Sequence, residues 1–261
     1  MYARYNFFPF FWGQDPVLIG PERPGHHDTQ NPWADSDIYV ATKNANGTWG
    51  TPVNLSFNDD RPAYSAYEVI VGTTTKLYYN TTSDAGDQIV VYRVKNADGS
   101  WGPETSVGAN INLPGTNNYN ENLAAGDDGM WFTSNRPGGL GGTDIWFSQK
   151  VNGVWGTPIN VGAPVNTATD EDQFWTSPIT GQSFFARDNV TYTTTWGASG
   201  FTTPVLLQLG LPAGASYAQV TMPDSSNELF FISGDPATSR VKIYHDLKLP
   251  NGSWGTATPI D

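Results

Sequence analysis

One phrase recurs along the chain at nearly regular intervals: NGTWG at Trp49, DGSWG at Trp101, NGVWG at Trp155 and NGSWG at Trp254. ASGFTTPVLL fits the same register between the last two if Phe201 takes the place of the tryptophan. These aromatic residues stand 52, 54, 46 and 53 positions apart, so five copies of about 52 residues account for all 261 positions. A period in this range belongs to solenoids and propellers.

Strand patterning separates the two. The second copy reads as four short β-segments, YEVIV (67–71), KLYYN (76–80), QIVVYRV (88–94) and WGPETSV (101–107), divided by turn residues. Four strands per copy, repeated radially, make a propeller blade, and no segment sustains the apolar period of a helical solenoid. The expectation is an all-β, five-bladed β-propeller with four antiparallel strands per blade. It would be a single domain over 1–261, with blades near 1–57, 58–110, 111–163, 164–210 and 211–261. In the first copy, 17–20 is the expected second strand and YNFFPFF the innermost one. The N-G and D-G pairs fall between third and fourth strands, where a type I′ hairpin needs positive φ. The tryptophan after each pair is expected to pack between neighbouring blades.

Charge and composition narrow the partners. A net charge of −12 argues against nucleic acid and anionic membranes, and no apolar run is long enough for a membrane span. With no cysteine, disulfides, thiol chemistry and Cys-based zinc sites are excluded. The opening MYARYNFFPFFWGQDP lacks the pattern of a signal peptide; a periplasmic or extracellular location with the leader removed is the expectation, and a cytosolic one stays open. A monomer is expected.

The segments NRPGGLGGTDIWFSQK, NGVWGTPINVGAPVNTATDEDQF and ERPGHHDTQNPWADSDIYVAT resemble the TolB-like, WD-repeat-like β-propeller repeats of bacterial exported proteins. The resemblance is strong over 17–57 and 110–188 and weaker in the second and fifth copies. The fourth departs most, since ARDNVTYTTTW has neither the R-P-G-G loop nor the D-I-Y triplet. The resemblance implies a propeller and an envelope location. It implies no particular activity, because such repeats occur in binding proteins and in enzyme accessory domains.

In a propeller, the loops joining strand two to three and each blade to the next emerge on one face, and a ligand is expected there, at the channel mouth. Aligning the copies puts Glu68, Glu121, Gln173 and Gln219 in one ring at the start of the inner strands. Asp59, Asp60, Tyr119, Asn120, Asp170, Glu171 and Asp172 surround it, with Trp33, Tyr64, Tyr67 and Trp175 as flat aromatic surfaces. Arg23, Arg61, Arg136, Arg187 and Arg240 fall in loops of this face and suit bidentate contact with carboxylates. Each feature also has a structural use: channel packing for the ring, loop pinning for the arginines, and turn fixing for Asp37 and Asp144. His26, His27 and Asp28 are the one local cluster with metal-ligand chemistry.

No G-x-S-x-G, H-E-x-x-H, phosphate-binding or dinucleotide fingerprint is present. The leading expectation is a binding propeller that recognises a glycan, peptide or protein through Gln173, Gln219, Arg23, Arg61, Arg136, Arg187, Tyr119, Asp172 and Trp175. The alternative is a hydrolase at the same mouth. One version is a glycosidase using Glu68 and Glu121 as its two carboxyls. The other is an ester or phosphoester hydrolase whose calcium ion sits on the mouth's oxygens.

Overall fold

A computed structural model describes residues 17–20, 37–40, 50–51, 53–55, 57, 61–124, 127–177, 179–211, 217–222, 227–235 and 240–259. Among these residues the regular structure is all β, and no helix is long and apolar enough to cross a membrane.

The strands form separate antiparallel sheets, one for each sequence repeat. The first repeat contributes three strands, β1 (Val17–Gly20), β2 (Asp37–Val40) and β3 (Val53–Asn54). These are the expected second, third and fourth strands; the aromatic segment expected as the innermost one lies outside the described residues. The second sheet runs in order β4 (Tyr64–Val71), β5 (Thr74–Thr82), β6 (Gln88–Val94) and β7 (Thr105–Ser106). The third holds β8 (Asn118–Leu123), β9 (Gly129–Ser134), β10 (Asp144–Val151), β11 (Val154–Trp155) and β12 (Ile159–Asn160). The fourth holds β13 (Glu171–Thr176), β14 (Gln182–Arg187), β15 (Val190–Gly197), β16 (Gly200–Phe201) and β17 (Val205–Leu206). The fifth holds β18 (Tyr217–Thr221), β19 (Glu228–Asp235), β20 (Arg240–Leu247) and β21 (Thr258–Pro259). Four complete blades and a three-stranded first sheet are therefore described, in a propeller arrangement.

The outer strand of each blade is cut short where the repeat reads W-G-x-P or its equivalent. Trp101 bridges Lys95, but pairing resumes only at Thr105; Trp155 pairs with Lys150, and Ile159 then pairs with Phe147. Proline has no N–H to give a ladder, and in the second, third and fourth sheets the outer strand is interrupted at Pro103, Pro158 and Pro204; in the fifth, Pro259 lies in the short final piece. The hairpin turns before the tryptophans differ among themselves. Asn152 and Gly153 both have positive φ, 53° and 80°, as type I′ requires. At Asp98–Gly99 and Asn251–Gly252 only the glycine does, so these loops are not type I′.

No sheet has a core of its own; each apolar layer lies between two successive sheets. Ile38 of the first sheet packs with Ala66, Leu77, Tyr79 and Val91 of the second, against Trp101. Tyr67, Tyr78 and Val90 of the second meet Leu123, Phe132, Trp146 and Trp155 of the third. Trp131 and Ile145 meet Phe174 and Phe185 of the fourth, with Phe201 at the rim. Trp175, Phe184 and Leu207 meet Val220, Leu229 and Phe231 of the fifth, with Trp254 alongside. The repeated aromatic residue thus closes each seam, as the sequence leads one to expect. Sheets that are apolar on both faces cannot be stable singly, and stacking them around an axis buries both.

Candidate functional site

The inner strands β4, β8, β13 and β18 share a local distortion. Pairing with the second strand skips between Tyr64 and Tyr67, between Tyr119 and Asn122, between Asp172 and Trp175, and between Ala218 and Thr221. In each gap one residue is left-handed: Ser65 (φ 52°), Asn120 (53°), Gln173 (55°) and Gln219 (55°). A bulge of this kind re-aims side chains, and left-handed non-glycine residues persist only where their surroundings hold them. Four such residues at equivalent places on four adjacent inner strands mark the axial end of the blades as built for presenting polar groups.

Their hydrogen bonds run from sheet to sheet. Ser65 Oγ donates to Asn120 Oδ1 at 2.7 Å. Asn120 Nδ2 donates in turn to Asp172 Oδ1 at 2.5 Å, and Gln219 N–H donates to Gln173 Oε1 at 2.9 Å. The bulge itself is fastened from the next blade, where Asn80 Oδ1 accepts from Asn120 N–H at 2.9 Å while Asn80 Nδ2 donates to Asn118 O at 3.2 Å.

Asp172 is the centre of this network. Its Oδ1 accepts from Asn120 Nδ2, from Gln173 N–H at 2.5 Å and from Thr133 Oγ1 at 3.3 Å. Its Oδ2 accepts no hydrogen bond among the described residues, and the residue is half-buried. Burial pushes the carboxyl above its ordinary range, the three donors oppose this, and the charge of Asp170 adds to it. The phenol of Tyr119 lies against both aspartates and is raised by burial and by their charges. Asp170 is exposed, and its Oδ1 accepts from Thr143 N–H at 2.9 Å. The glycine run of the R-P-G-G-L-G-G loop allows this: a Cβ on Gly142 would stand 2.4 Å from Asp170 Oδ1, and one on Gly141 would stand 1.8 Å from Thr169 O.

The structure does not bring Glu68 and Glu121 together, because the bulges shift the alignment that paired them. Ser65, not Glu68, is the counterpart of Gln173 and Gln219, and Asn120, not Glu121, is the counterpart on β8. Glu68 stands opposite Leu77, on the face of β4 that meets the first sheet. Glu121 lies in the next layer, beside the phenols of Tyr64 and Tyr78. It is 1% exposed, and neither carboxylate oxygen is in a well-formed hydrogen bond. Burial raises it well above the ordinary carboxylate range. The Tyr64 hydroxyl is also buried without a partner among the described residues.

The arginines of this face are engaged with the protein. Arg136, 8% exposed, donates to Asn110 O (3.0 Å), Ile111 O (2.5 Å), Asn118 Oδ1 (2.8 Å) and Ser134 Oγ (3.1 Å). It stacks on Phe132 and Trp146, and burial brings its guanidinium down to about 10. Arg187 pairs with Glu171 at 2.8 Å and donates to Pro164 O and Val165 O, and Arg61 pairs with Glu104 at 2.9 Å. Both residues of the inner turns are used locally: Asp144 Oδ2 accepts from Leu140 and Gly141 N–H, and Asp37 Oδ2 accepts from Asn54 Nδ2. Trp175, 5% exposed, is packed on Phe184 in the core. Arg23, His26, His27, Asp28, Trp33, Asp59 and Asp60 lie outside the described residues. Among the described residues no three His, Cys, Asp or Glu side chains converge as a metal site.

Comparison with known proteins bears on the fold. No protein-family model matches the chain, and no curated protein sequence matches it. Solved structures do. A thermostable family-43 glycoside hydrolase superposes with a TM-score of 0.61 at 10% identity, covering 99% of this chain and 94% of that one. A family-43 β-xylosidase/α-arabinofuranosidase from a compost microbial metagenome, solved with xylotriose, gives 0.59 at 10% identity, over 97% and 94% of the two chains. A TolB-type protein from Agrobacterium tumefaciens gives 0.55 at 11% identity, over 99% and 80%. At such identities the likeness is one of fold, and it supports the β-propeller.

Proposed function

We propose that this chain is a carbohydrate-active propeller, a glycoside hydrolase whose site is the axial mouth formed by the bulged inner strands. The observation that carries the reading is Asp172, whose Oδ1 is fixed by three donors, whose Oδ2 has no partner among the described residues, and whose burial favours the acid form. Such a carboxyl suits a general acid, protonating the leaving oxygen of a glycosidic bond, and the exposed Asp170 supplies the carboxylate base that glycoside hydrolysis also needs. The half-buried Asn120, Gln173 and Gln219 supply neutral amides for sugar hydroxyls, with Ser65 buried behind Asn120, and Tyr119 offers a flat face to the ring. The family-43 likeness supports this chemistry over recognition of a peptide or protein. No step passes through a cation.

The same reading takes the first sheet as a fifth blade that closes the ring around the mouth, and places the protein outside the cytosol, where polymeric glycans are met. The test is a panel of aryl α-L-arabinofuranosides, β-xylosides and β-galactosides. Wild type turns over at least one of them, and Asp172→Asn lowers kcat/KM by about 10²–10⁴-fold with an unchanged melting curve. Glycan binding by wild type without any turnover would leave a binding propeller and end the hydrolase reading.

A further inference from the structure

The linkers that carry the chain from one sheet to the next share a sequence. Residues 106–112 read SVGANIN and residues 160–166 read NVGAPVN. In both, the glycine has positive φ, +98° at Gly108 and +68° at Gly162. The final asparagine clasps the third strand of the sheet that the chain is leaving, with both ends of its amide. Val90 N–H donates to Asn112 Oδ1 at 2.9 Å and Asn112 Nδ2 donates to Val90 O at 2.8 Å; Asn166 repeats this with Ile145 at 2.9 and 2.8 Å. Ile111 and Val165 fill the layer beneath, each fully buried. Asn110 then seals its seam by donating to Trp155 O at 2.7 Å, and Trp155 is 3% exposed.

The linker from the fourth sheet to the fifth keeps the apolar positions and departs at the others. Residues 206–212 read LLQLGLP, with Gln208 in place of the left-handed glycine, Leu209 for alanine, and Pro212 for the clasping asparagine. In a repeat protein the shared residues hold the fold, and a copy that violates the shared rules marks a local purpose. Here the departures surround a groove of about 400 Å³ bounded by Thr193, Leu206, Gln208, Gly210, Ser253 and Trp254. Its walls are fixed: a Cβ on Gly210 would stand 2.1 Å from Gly255 O, and Ala257 N–H donates to Gly210 O at 3.2 Å.

We infer that this groove between the fourth and fifth sheets is a second binding site, for a neutral saccharide chain; the inference rests on reading the protein as carbohydrate-active. The residues that line the groove carry no charge, and the charged groups beside it are turned to the protein: the Lys248 ammonium lies over the Trp254 ring, and Asp246 Oδ2 accepts from Gly210 N–H at 3.5 Å. The half-buried Trp254 and the 51%-exposed Leu206 offer apolar surface to the C–H face of a sugar. The exposed Gln208 amide makes no hydrogen bond among the described residues and is available to sugar hydroxyls. The volume falls in the range of small-ligand clefts and admits one or two sugar units of a longer chain.

The test is affinity electrophoresis of the full chain through gels containing arabinoxylan or β-1,3-galactan, beside turnover of the aryl glycosides. Wild type is retarded by one of these polysaccharides. Gln208→Arg, which changes an exposed side chain and fills the groove, weakens retardation about 10-fold or more, as does Trp254→Ala. Trp254→Phe keeps the packing and part of the retardation, and Gln208→Arg keeps turnover of the small glycosides. Asp172→Asn loses turnover and keeps retardation. Absence of retardation in wild type, or retardation lost in Asp172→Asn and intact in Gln208→Arg, overturns the groove. Wild type that is retarded through Gln208 but turns over no glycoside removes the hydrolase reading and leaves the groove standing.

Discussion

The side-chain amide of Asn120, on the inner strand of the third sheet, donates to Asp172 Oδ1 on the inner strand of the fourth, from a backbone held at φ 53°. The donor is aimed by a bulge, and the acceptor oxygen also takes hydrogen bonds from Gln173 N–H and Thr133 Oγ1. Asn120→Gly separates the two roles. Glycine takes left-handed φ without strain, so the fold keeps its stability within about 1 kcal/mol. The lost bond frees Asp172 to rotate, and kcat/KM for an aryl glycoside falls about 10–100-fold.

Asp172 is raised chiefly by burial, and Asp170 adds to the shift. Asp170→Asn removes a like charge and leaves the burial, so the Asp172 carboxyl titrates at lower pH than in wild type yet still above an ordinary aspartate. A ¹³C carboxyl titration followed by NMR measures both midpoints. A midpoint that stays put or rises shows that the two groups do not sense each other.

Glu121 carries the opposite kind of information, about the fold rather than the site. It is raised in the fold and ionises readily when the chain unfolds. Its contribution to stability is therefore intact below the ordinary carboxylate range and is lost as pH climbs toward the folded value. Glu121→Gln has no such loss, so the variant gains on wild type as pH rises above the ordinary carboxylate range, read by urea denaturation at a series of pH values.

Gly142 is required by what lies against it. An alanine there meets Asp170 Oδ1 and displaces the carboxylate, or pushes the loop away from Thr143 N–H, its donor. Turnover falls by about 10-fold or more, and thermal stability by no more than about 1–2 kcal/mol, because the loop is exposed.

Arg136 holds the linker between the second and third sheets through two backbone carbonyls and Asn118 Oδ1. Arg136→Met leaves these acceptors buried and unpaired, and costs about 3–5 kcal/mol in equilibrium unfolding. Glycan binding and turnover, scaled to the folded fraction, stay at wild-type level.

The blades were legible because their signals are local and repeated. NGxWG fixes where each hairpin turns, alternating segments fix the strands, and the tryptophan after each turn has nowhere apolar to go except the neighbouring sheet. The site was less legible because it depends on a backbone event with no composition of its own. A two-for-one bulge leaves an ordinary apolar alternation on either side, so counting from the strand ends put Glu68 level with Gln173, when Ser65 occupies that place. Gln173 and Gln219 were readable as equivalent positions on successive inner strands; Ser65 was not, and serine in a strand gives no sign of left-handed φ. The arginines gave a misleading cue of another kind. Sequence put both Arg136 and Arg187 in loops, whereas Arg187 ends β14, and only the tertiary path shows that both side chains reach the carbonyls of the preceding linker.

The clipped outer strands have a further consequence. Val53, Ile159 and Val205 stand 62%, 63% and 59% exposed on the perimeter, an arrangement that on a long open edge would recruit a second molecule strand by strand. Each perimeter segment is only two residues long before proline or a turn interrupts it, too little ladder for a neighbouring backbone to zip onto. The repeat that builds the wheel thereby also guards it against polymerising through its rim.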